Sequence, residues 1–248
     1  MSVVVIVPTY NERENLPRLV PRILAHEGYR VLVVDDGSPD GTGEVADGLQ
    51  AAHPGRVQVL HRAVKDGLGT AYVAGMRHAL LARPDFVCHM DADGSHDAAD
   101  LPRLVAAAET SDLVLGSRYV PGGGLRNWPW YRRALSAGAN RYVRWVTGMT
   151  LRDCTAGFRC WRAEMLARID IDALRANGYG FQVETLFRAV ALGGRVREVP
   201  IVFTERTEGA SKMTARIIIE SAILPWQLRA QYGRLRQPAR EADSTAPA

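Results

Sequence analysis

Asp91 and Asp93 are the residues whose type and spacing most directly suggest chemistry. They follow an apolar run, residues 86–90, whose composition favours a buried strand. In an extended segment, side chains two residues apart leave the backbone on the same side, about 7 Å apart. Mg²⁺ or Mn²⁺ is commonly held by one or two carboxylates together with the phosphates of a substrate. Because Asp is also a favoured turn residue, the pair alone leaves open both a metal site and a solvated acidic turn.

Three other polar loops follow predicted strands in the same way. Continuous β-branched runs are typical of strands buried on both faces of a parallel sheet. Such strands are predicted over residues 3–7, 29–34 and 57–60, and the loops that follow them are residues 8–12, 35–42 and 65–70. Apolar residues at helical spacing follow each loop. Alternating strands and helices predict a mostly parallel sheet, with all four loops at the edge where such sheets bind ligands.

The alternation loosens after Asp93. The pattern predicts helices over 98–108, 134–147 and 217–228, an irregular segment over 153–159, and strands over 113–115 and 197–203. The last helix is apolar and contains Pro225 as a predicted kink. About 20 apolar residues are needed to cross a bilayer, and no segment of the sequence reaches that length. The polar tail, residues 236–248, is predicted to lack a core of its own.

Composition restricts the protein's class. A hydrophobic content of 47% in 248 residues fits a folded domain, with a net charge of +4. Nine arginines and four of the five tryptophans fall between Arg118 and Arg162, where the single acid is Asp153, so this segment predicts an anionic partner. Three cysteines without metal-ligand spacing favour a reducing compartment. The chain runs directly into its first strand, and we therefore expect no secretory leader.

The rim of acids suggests a nucleotide site. Tyr10 would contact the base, Asp36 the base or ribose, and Asp91 with Asp93 the metal. The dinucleotide fingerprint and the Walker A motif are absent. Arginine mixed with tryptophan also occurs on nucleic-acid-binding surfaces, although the rim acids would repel a phosphate backbone without a metal. Anionic lipid headgroups fit the mixture at least as well.

Five ordered segments together carry a family resemblance. They are Val-Pro-Thr-Tyr-Asn-Glu (7–12), Val-Val-Asp-Asp-Gly-Ser-Pro-Asp-Gly-Thr (33–42), Gly-Leu-Gly-Thr-Ala-Tyr (67–72), Met-Asp-Ala-Asp-Gly-Ser-His (90–96) and Gly-Ser-Arg-Tyr (116–119). The set resembles inverting family-2 glycosyltransferases of the GT-A fold, and within them the polyprenol-phosphate (dolichol-phosphate) mannose synthases. The narrower match rests on residues 153–159, 181–184 and 199–201, followed by Arg206, Gly209, Ser211 and Lys212. Ser95 stands where some members carry Gln, which leaves open a third side-chain metal ligand.

The resemblance implies a fold and an activity. The fold would be α/β, a GT-A domain with a mostly parallel nucleotide-binding sheet flanked by helices and a C-terminal apolar helical segment. One domain, residues 1–235, would comprise a nucleotide-binding half (about 1–117) and an acceptor-binding half (about 118–235), followed by a flexible tail. The enzyme would transfer mannose from GDP-mannose to a polyprenyl monophosphate with inversion, using Mg²⁺ or Mn²⁺. It would lie peripherally on the cytoplasmic face of a membrane, with or without a separate anchoring protein, and would bind no nucleic acid.

The resemblance also assigns residues to roles. The catalytic group is Asp91, Asp93, Arg118 and Arg206, of which Asp91 and Asp93 hold the metal; the nucleotide contacts are Pro8, Tyr10, Glu12, Asp36, Asp66, Ala92 and Lys212; and the acceptor-phosphate contacts are Arg118, Arg132 and Ser136. Alternatives remain within the class, namely a polyprenyl-phosphate glucosyltransferase using UDP-glucose or a family-2 enzyme with another acceptor. From a different class, the chain could be a non-catalytic lipid- or nucleic-acid-binding module.

Overall fold

The computed structural model describes residues 1–174, 176, 178–205 and 215–233, with the backbone alone at residues 179 and 215–219. The strands are β1 (Val3–Thr9), β2 (Tyr29–Asp35), β3 (Val57–His61), β4 (Phe86–His89), β5 (Leu113–Ser117), β6 (Gly124–Arg126), β7 (Arg159–Arg162), β8 (Val196–Pro200) and β9 (Val202–Thr204). The helices are α1 (Leu16–Leu24), α2 (Thr42–Ala52), α3 (Leu68–Leu81), α4 (Leu101–Ala108), α5 (Trp130–Thr147), α6 (Ala163–Arg168), α7 (Tyr179–Ala191) and α8 (Ala215–Tyr232), with short 3₁₀ turns at Ala98–Asp100 and Ile171–Ala173.

A seven-stranded sheet lies at the centre of the fold, in the order β3-β2-β1-β4-β7-β5-β8. Strand β1 pairs in parallel with β2 and β4, and β5 pairs in parallel with β8. Strand β7 alone among the seven runs antiparallel to its neighbours, β4 and β5. All seven residues of β1 are buried, as expected for a central parallel strand with helices on both faces. The predicted mostly parallel α/β architecture is confirmed.

The side chains of β1 alternate between two hydrophobic layers. Val4 and Ile6 pack on the face shared with α3, α5, α7 and α8, whereas Val3, Val5 and Val7 pack on the face of α1, α2 and α4. Because strand side chains point to opposite faces in turn, a short β-branched run supplies both layers. The same strands deliver their following loops to one edge.

Several elements begin or end at residues other than those that the sequence pattern predicts. Residues 153–159 were predicted as irregular, but Arg159 begins β7, whose four residues include two arginines. The predicted strand over 197–203 is two strands, because β9 leaves the main sheet and pairs with β6. Helix α5 begins at Trp130, immediately after Pro129, rather than at residue 134. Short, polar or interrupted helices and strands lack the regular spacing of apolar residues from which element boundaries are predicted.

The C-terminal helix α8 is longer than predicted and contains Pro225 within it. Leu224 and Leu228 are buried against the core, whereas Ile223 and Trp226 are exposed. In the part of the chain that the structure describes, no helix combines the length and apolar character needed to cross a membrane. The three cysteines are free and buried. The tail predicted over 236–248 lies outside the described residues.

Candidate active site

The carboxyl ends of β1, β2 and β4 open onto a cleft of about 800 Å³. Ten of the residues proposed from the sequence line it, namely Pro8, Tyr10, Glu12, Asp36, Asp66, Asp91, Ala92, Asp93, Arg118 and Arg132. The strand-end loops therefore converge as the parallel topology requires. Ser136 is not among the lining residues; it lies one turn after Arg132 on α5, beside the hydroxyl of Tyr119. Arg206 and Lys212 lie outside the described residues.

The Asp91 and Asp93 carboxylates are held from different directions. The hydroxyl of Tyr72 donates to Asp91 Oδ1 at 3.1 Å, and the backbone N–H of Asp91 donates to His96 Nδ1 at 3.3 Å. Asp93 Oδ1 accepts from the backbone N–H of Ser95 at 3.0 Å. Burial raises the pKa of the Asp91 carboxyl above its usual value, and the nearby His96 opposes that shift. Both carboxylates border the cleft.

The donor set suits a cation that shares its coordination with a substrate. No group of three or more His, Cys, Asp or Glu side chains with metal-binding geometry occurs among the described residues. Mg²⁺ and Mn²⁺ accept one or two carboxylates when phosphate oxygens and waters supply the remaining positions. Ser95 also lines the cleft, and its backbone is fixed by the bonds to Asp93 and from Thr204. Asp91 and Asp93 thus fit a divalent cation that takes its remaining ligands from outside the protein.

The part of the cleft lined by the loops after β1, β2 and β3 carries an aromatic ring and two acids. The Lys65 ammonium lies over the ring of Tyr10, 3.5 Å from its centroid. Arg62 forms an ion pair with the buried Asp36 and approaches Asp66 Oδ2 at 3.9 Å. Sequence reasoning missed Arg62, because an isolated arginine after a strand carries no pattern. It links the two acids proposed for nucleotide binding.

Arg118, which follows β5 and lines the cleft, is held by a buried carboxylate. Its Nε and Nη2 each donate to Asp153 at 2.7 Å, and Nη2 also donates to Thr155 Oγ1 at 2.8 Å. The Asp153 side chain is fully buried. Such a fork of donors fixes the plane of a guanidinium. Asp153 therefore sets the direction in which Arg118 meets the cleft.

Arg132 is the second arginine of the cleft. It forms an ion pair with Glu205 and lies over the Trp128 ring at 4.6 Å from the centroid. Asn140, on the same helix, accepts from the N–H of Cys154 at 2.7 Å and donates to Thr155 Oγ1 at 3.2 Å. The helix that carries Arg132 is thereby tied to the loop that holds Arg118.

Comparisons with known proteins identify the family of the chain. The model of the family described as "Glycosyl transferase family 2" matches residues 4–172. The chain belongs to glycosyltransferase family 2. It is 50% identical over 236 residues to a polyprenol monophosphomannose synthase from Mycolicibacterium smegmatis, covering 94% of this chain and 89% of that protein. It is also 50% identical over 239 residues to an undecaprenyl-phosphate mannosyltransferase from Micrococcus luteus, covering 95% and 98%.

Solved structures share the fold of this family-2 glycosyltransferase at low identity. A glucosyl-3-phosphoglycerate synthase from Mycobacterium tuberculosis, in complex with Mn²⁺, UDP and phosphoglyceric acid, superposes with a TM-score of 0.68 at 17% identity, covering 95% of this chain and 80% of that one. A mannosyltransferase from Pyrobaculum calidifontis, in complex with GDP-Man and Mn²⁺, gives 0.57 at 20% identity, covering 93% and 73%. These likenesses show a GT-A-type fold.

The arginines and tryptophans of the segment 118–162 differ in whether they are buried or exposed. Arg159 is fully buried and donates to two backbone carbonyls and to Thr185 Oγ1. Burial lowers the pKa of the Arg159 guanidinium to about 10. It cannot contact an external anion, contrary to what the segment as a whole predicted. Trp161 is likewise in the core, whereas Trp130 is 79% exposed.

Replacing Asp153 with leucine is expected to lower the free energy of unfolding by about 3–5 kcal/mol, because the change leaves Arg118 buried without its counter-charge. Urea denaturation of the purified full chain measures the effect. Asp172 provides the control, because it pairs with Arg77 at an exposed site. Asp172→Ala should cost at most about 1 kcal/mol. Equal losses in the two variants would contradict the role of burial.

Proposed function

We propose that this enzyme transfers mannose from GDP-mannose to the phosphate of a polyprenyl monophosphate, giving polyprenyl-phosphate mannose and GDP. The observation that carries the proposal is 50% identity, over nearly the whole chain, to two relatives named for mannosyl transfer with polyprenol or undecaprenyl phosphate. The cleft supports it, because its lining includes two carboxylates suited to a metal and two arginines suited to a phosphate. The single domain would bind nucleotide mainly through residues 1–117 and acceptor through 118–235.

The donor would lie along the rim of the sheet. Pro8, Tyr10, Glu12, Asp36, Asp66 and Ala92 would contact the nucleotide, and Asp91 with Asp93 would hold Mg²⁺ or Mn²⁺ against its diphosphate. When bound, the cation neutralises charge that develops on the departing diphosphate. We assign the same role to Arg206 and Lys212, which lie outside the described residues.

The acceptor would lie against Arg118 and Arg132. A phosphate monoester is already anionic at neutral pH, so its oxygen can attack without a general base. The two guanidiniums orient that oxygen and exclude other poses, with Ser136 proposed as a further contact from α5. Attack on the sugar face opposite GDP converts an α-linked donor into a β-linked product, which is the proposed inversion.

The outer side of α5 supplies a surface suited to a membrane. This helix carries four arginines and no acid. Arg132 lines the cleft, while Trp130, Tyr131, Leu135 and Trp145 are exposed. The Trp145 ring packs against Trp226 of α8. Tryptophan and tyrosine mixed with arginine favour the interface of an anionic bilayer. We propose that this surface holds the cleft at the lipid headgroups.

We further place the enzyme peripherally on the cytoplasmic face, with or without a separate membrane-anchoring protein. The three buried free thiols, Cys88, Cys154 and Cys160, are compatible with a reducing compartment. The proposal includes no nucleic-acid partner.

Replacing Trp130 and Trp145 with serine should weaken binding to anionic vesicles at least about tenfold, because each buried aromatic side chain contributes about 1.5–3 kcal/mol. Sedimentation with phosphatidylglycerol-containing vesicles measures the change. Leu81→Ser is the matched control, because Leu81 is an exposed apolar residue (80%) that belongs to another helix, α3. Unchanged partitioning of the double variant would exclude the surface from membrane binding.

A labelled-sugar assay tests the function. The full chain is incubated with GDP-mannose or UDP-glucose, undecaprenyl phosphate, and either Mg²⁺ or Mn²⁺. We expect label to enter the lipid phase from GDP-mannose alone and only when the lipid phosphate is present. Preferential transfer from UDP-glucose would replace mannose with glucose in the proposal. Absence of transfer from either donor, with both metals supplied, would overturn it.

A further inference from the structure

Tyr72 lies behind the cleft and contacts one of its carboxylates. It belongs to α3 and is fully buried. Its hydroxyl donates to Asp91 Oδ1 at 3.1 Å. A phenol is protonated at neutral pH and therefore acts as a donor. The bond reaches across 19 positions in sequence, so Asp91 is held by an element other than its own loop.

The Tyr72 ring is itself immobilised by two aromatic neighbours. It stacks on Phe181 of α7 with the planes 5° apart and the centroids 5.5 Å apart. On β4, His89 lies 4.5 Å away, centroid to centroid. Close packing of this kind leaves few rotamers open. Three elements of the fold thus fix the position of a single hydroxyl group.

The remaining surroundings of Asp91 restrict its other oxygen. Asp91 Oδ2 lies 3.8 Å from His96 Nδ1, and the same nitrogen accepts the Asp91 N–H. Beside Oδ2 is Gly157, at which an added Cβ would lie only 3.4 Å from that oxygen. The carboxylate is therefore enclosed on the sides of α3 and of residue 157, and it is open toward the cleft, which it lines.

We infer that Tyr72 is a positioning residue for the metal ligand Asp91. Its hydroxyl holds Oδ1, so that the carboxylate keeps one orientation before the cation arrives. Hydrogen bonds to ligating groups orient them, and losing one typically lowers metal affinity about 10- to 100-fold. The inference rests on the proposed role of Asp91 and Asp93 in metal binding. It extends the proposed metal site to a residue, Tyr72, that does not itself line the cleft.

Tyr72→Phe removes the hydroxyl and keeps the ring, so the packing against Phe181 and His89 is retained. Mn²⁺ binding to the full chain in the presence of GDP is followed by electron paramagnetic resonance. We expect the dissociation constant for Mn²⁺ to rise about tenfold. In the transfer assay, the half-saturating Mn²⁺ concentration should rise by the same factor, whereas kcat at saturating Mn²⁺ should change much less.

Tyr29→Phe is the matched control, because Tyr29 is also buried but packs in the layer on the opposite face of the sheet. It should leave Mn²⁺ affinity unchanged. A lower yield of active Tyr72→Phe protein with an unchanged half-saturating Mn²⁺ concentration would indicate a purely structural role and overturn the inference.

The variant Asp91→Asn distinguishes a failure of the Tyr72 inference from a failure of the proposal that Asp91 is a metal ligand. If Asp91→Asn loses Mn²⁺ binding and Tyr72→Phe binds as the unmodified chain does, the Tyr72 inference alone is wrong. If Asp91→Asn binds Mn²⁺ normally, Asp91 is not a metal ligand and both statements fail. Loss in Asp91→Asn with a tenfold weakening in Tyr72→Phe supports both.

Discussion

Replacing Asp93 with asparagine is expected to lower the rate of mannosyl transfer about 10²- to 10³-fold. The change keeps the shape of the side chain and removes the charge that we propose holds the cation against the diphosphate. Loss of one group that stabilises developing charge typically has an effect of this order. Initial rates at fixed GDP-mannose and lipid phosphate measure it, and a higher Mn²⁺ concentration should restore part of the rate.

Asp97 is a matched control for this result. It lies four residues further along the same loop but pairs with Arg22 at an exposed site, and it is absent from the cleft lining. Asp97→Asn should therefore change the rate by no more than about twofold, since an exposed ion pair contributes at most about 1 kcal/mol. Full activity in Asp93→Asn would exclude the proposed metal ligand.

The position of Asp91 and Asp93 at the edge of the sheet was predictable from the sequence, because it follows from a local pattern. Four to seven successive apolar residues predict a buried strand, and the two carboxylates come directly after such a run. The convergence of four such loops follows from the parallel topology, which the alternation of strands and helices already indicates. Strand β1, with every residue buried, shows this link between pattern and position.

The partners of the cleft residues were not predictable, because they depend on contacts far apart in sequence. Asp153 and Arg118 are 35 positions apart, and Arg62 and Asp36 are 26 apart. Strand β7 has two arginines in four residues and is stabilised by pairing with strands on either side. Neither periodicity nor composition reports such pairings.

The arginine-rich segment shows why charge counts alone mislead. Its excess of positive charge predicts one anionic partner, but the structure places its arginines in different environments. Arg159 is a buried support for a loop, Arg118 is paired with a buried acid, and Arg133 lies on the exposed side of α5. Charge acts where it is accessible to the partner. Arg132 lines the cleft and belongs to the same helix as the exposed Trp130 and Trp145. It therefore connects the proposed acceptor site with the proposed membrane-binding surface.

The pairing of Arg132 with Glu205 bears on how an acceptor phosphate would bind. The Glu205 carboxylate keeps the Arg132 guanidinium oriented before the lipid binds. It also competes with the lipid phosphate for the N–H donors of Arg132. A dianionic phosphate carries more charge than a carboxylate and presents more acceptor oxygens. We therefore expect the phosphate to take over the Arg132 donors rather than to bind beside an undisturbed ion pair.

Arg132→Gln is accordingly expected to lower kcat/KM for the polyprenyl phosphate about 10- to 100-fold and to leave GDP-mannose affinity within about twofold. A hydrogen bond to a charged group contributes about 1.5–3 kcal/mol, and each 1.4 kcal/mol corresponds to about a factor of ten. Arg132 is a better subject than Arg118, because removing Arg118 also leaves Asp153 buried without a partner. Steady-state kinetics with varied lipid, and calorimetric titration with GDP-mannose, measure the two quantities.

The neighbouring Arg133 makes this prediction specific. It sits on the same helix and has the same charge, but it is exposed, bonds to the carbonyl of Leu125 and does not line the cleft. Arg133→Gln should weaken vesicle binding by about 1 kcal/mol and leave the kinetics of a short, water-soluble polyprenyl phosphate unchanged. Arg132→Gln should show the reverse. A direct contact between Arg132 and the acceptor phosphate should affect the lipid and not GDP-mannose. If Arg132→Gln instead lowers kcat/KM for the lipid and the affinity for GDP-mannose by the same factor, this arginine supports the structure of the cleft as a whole.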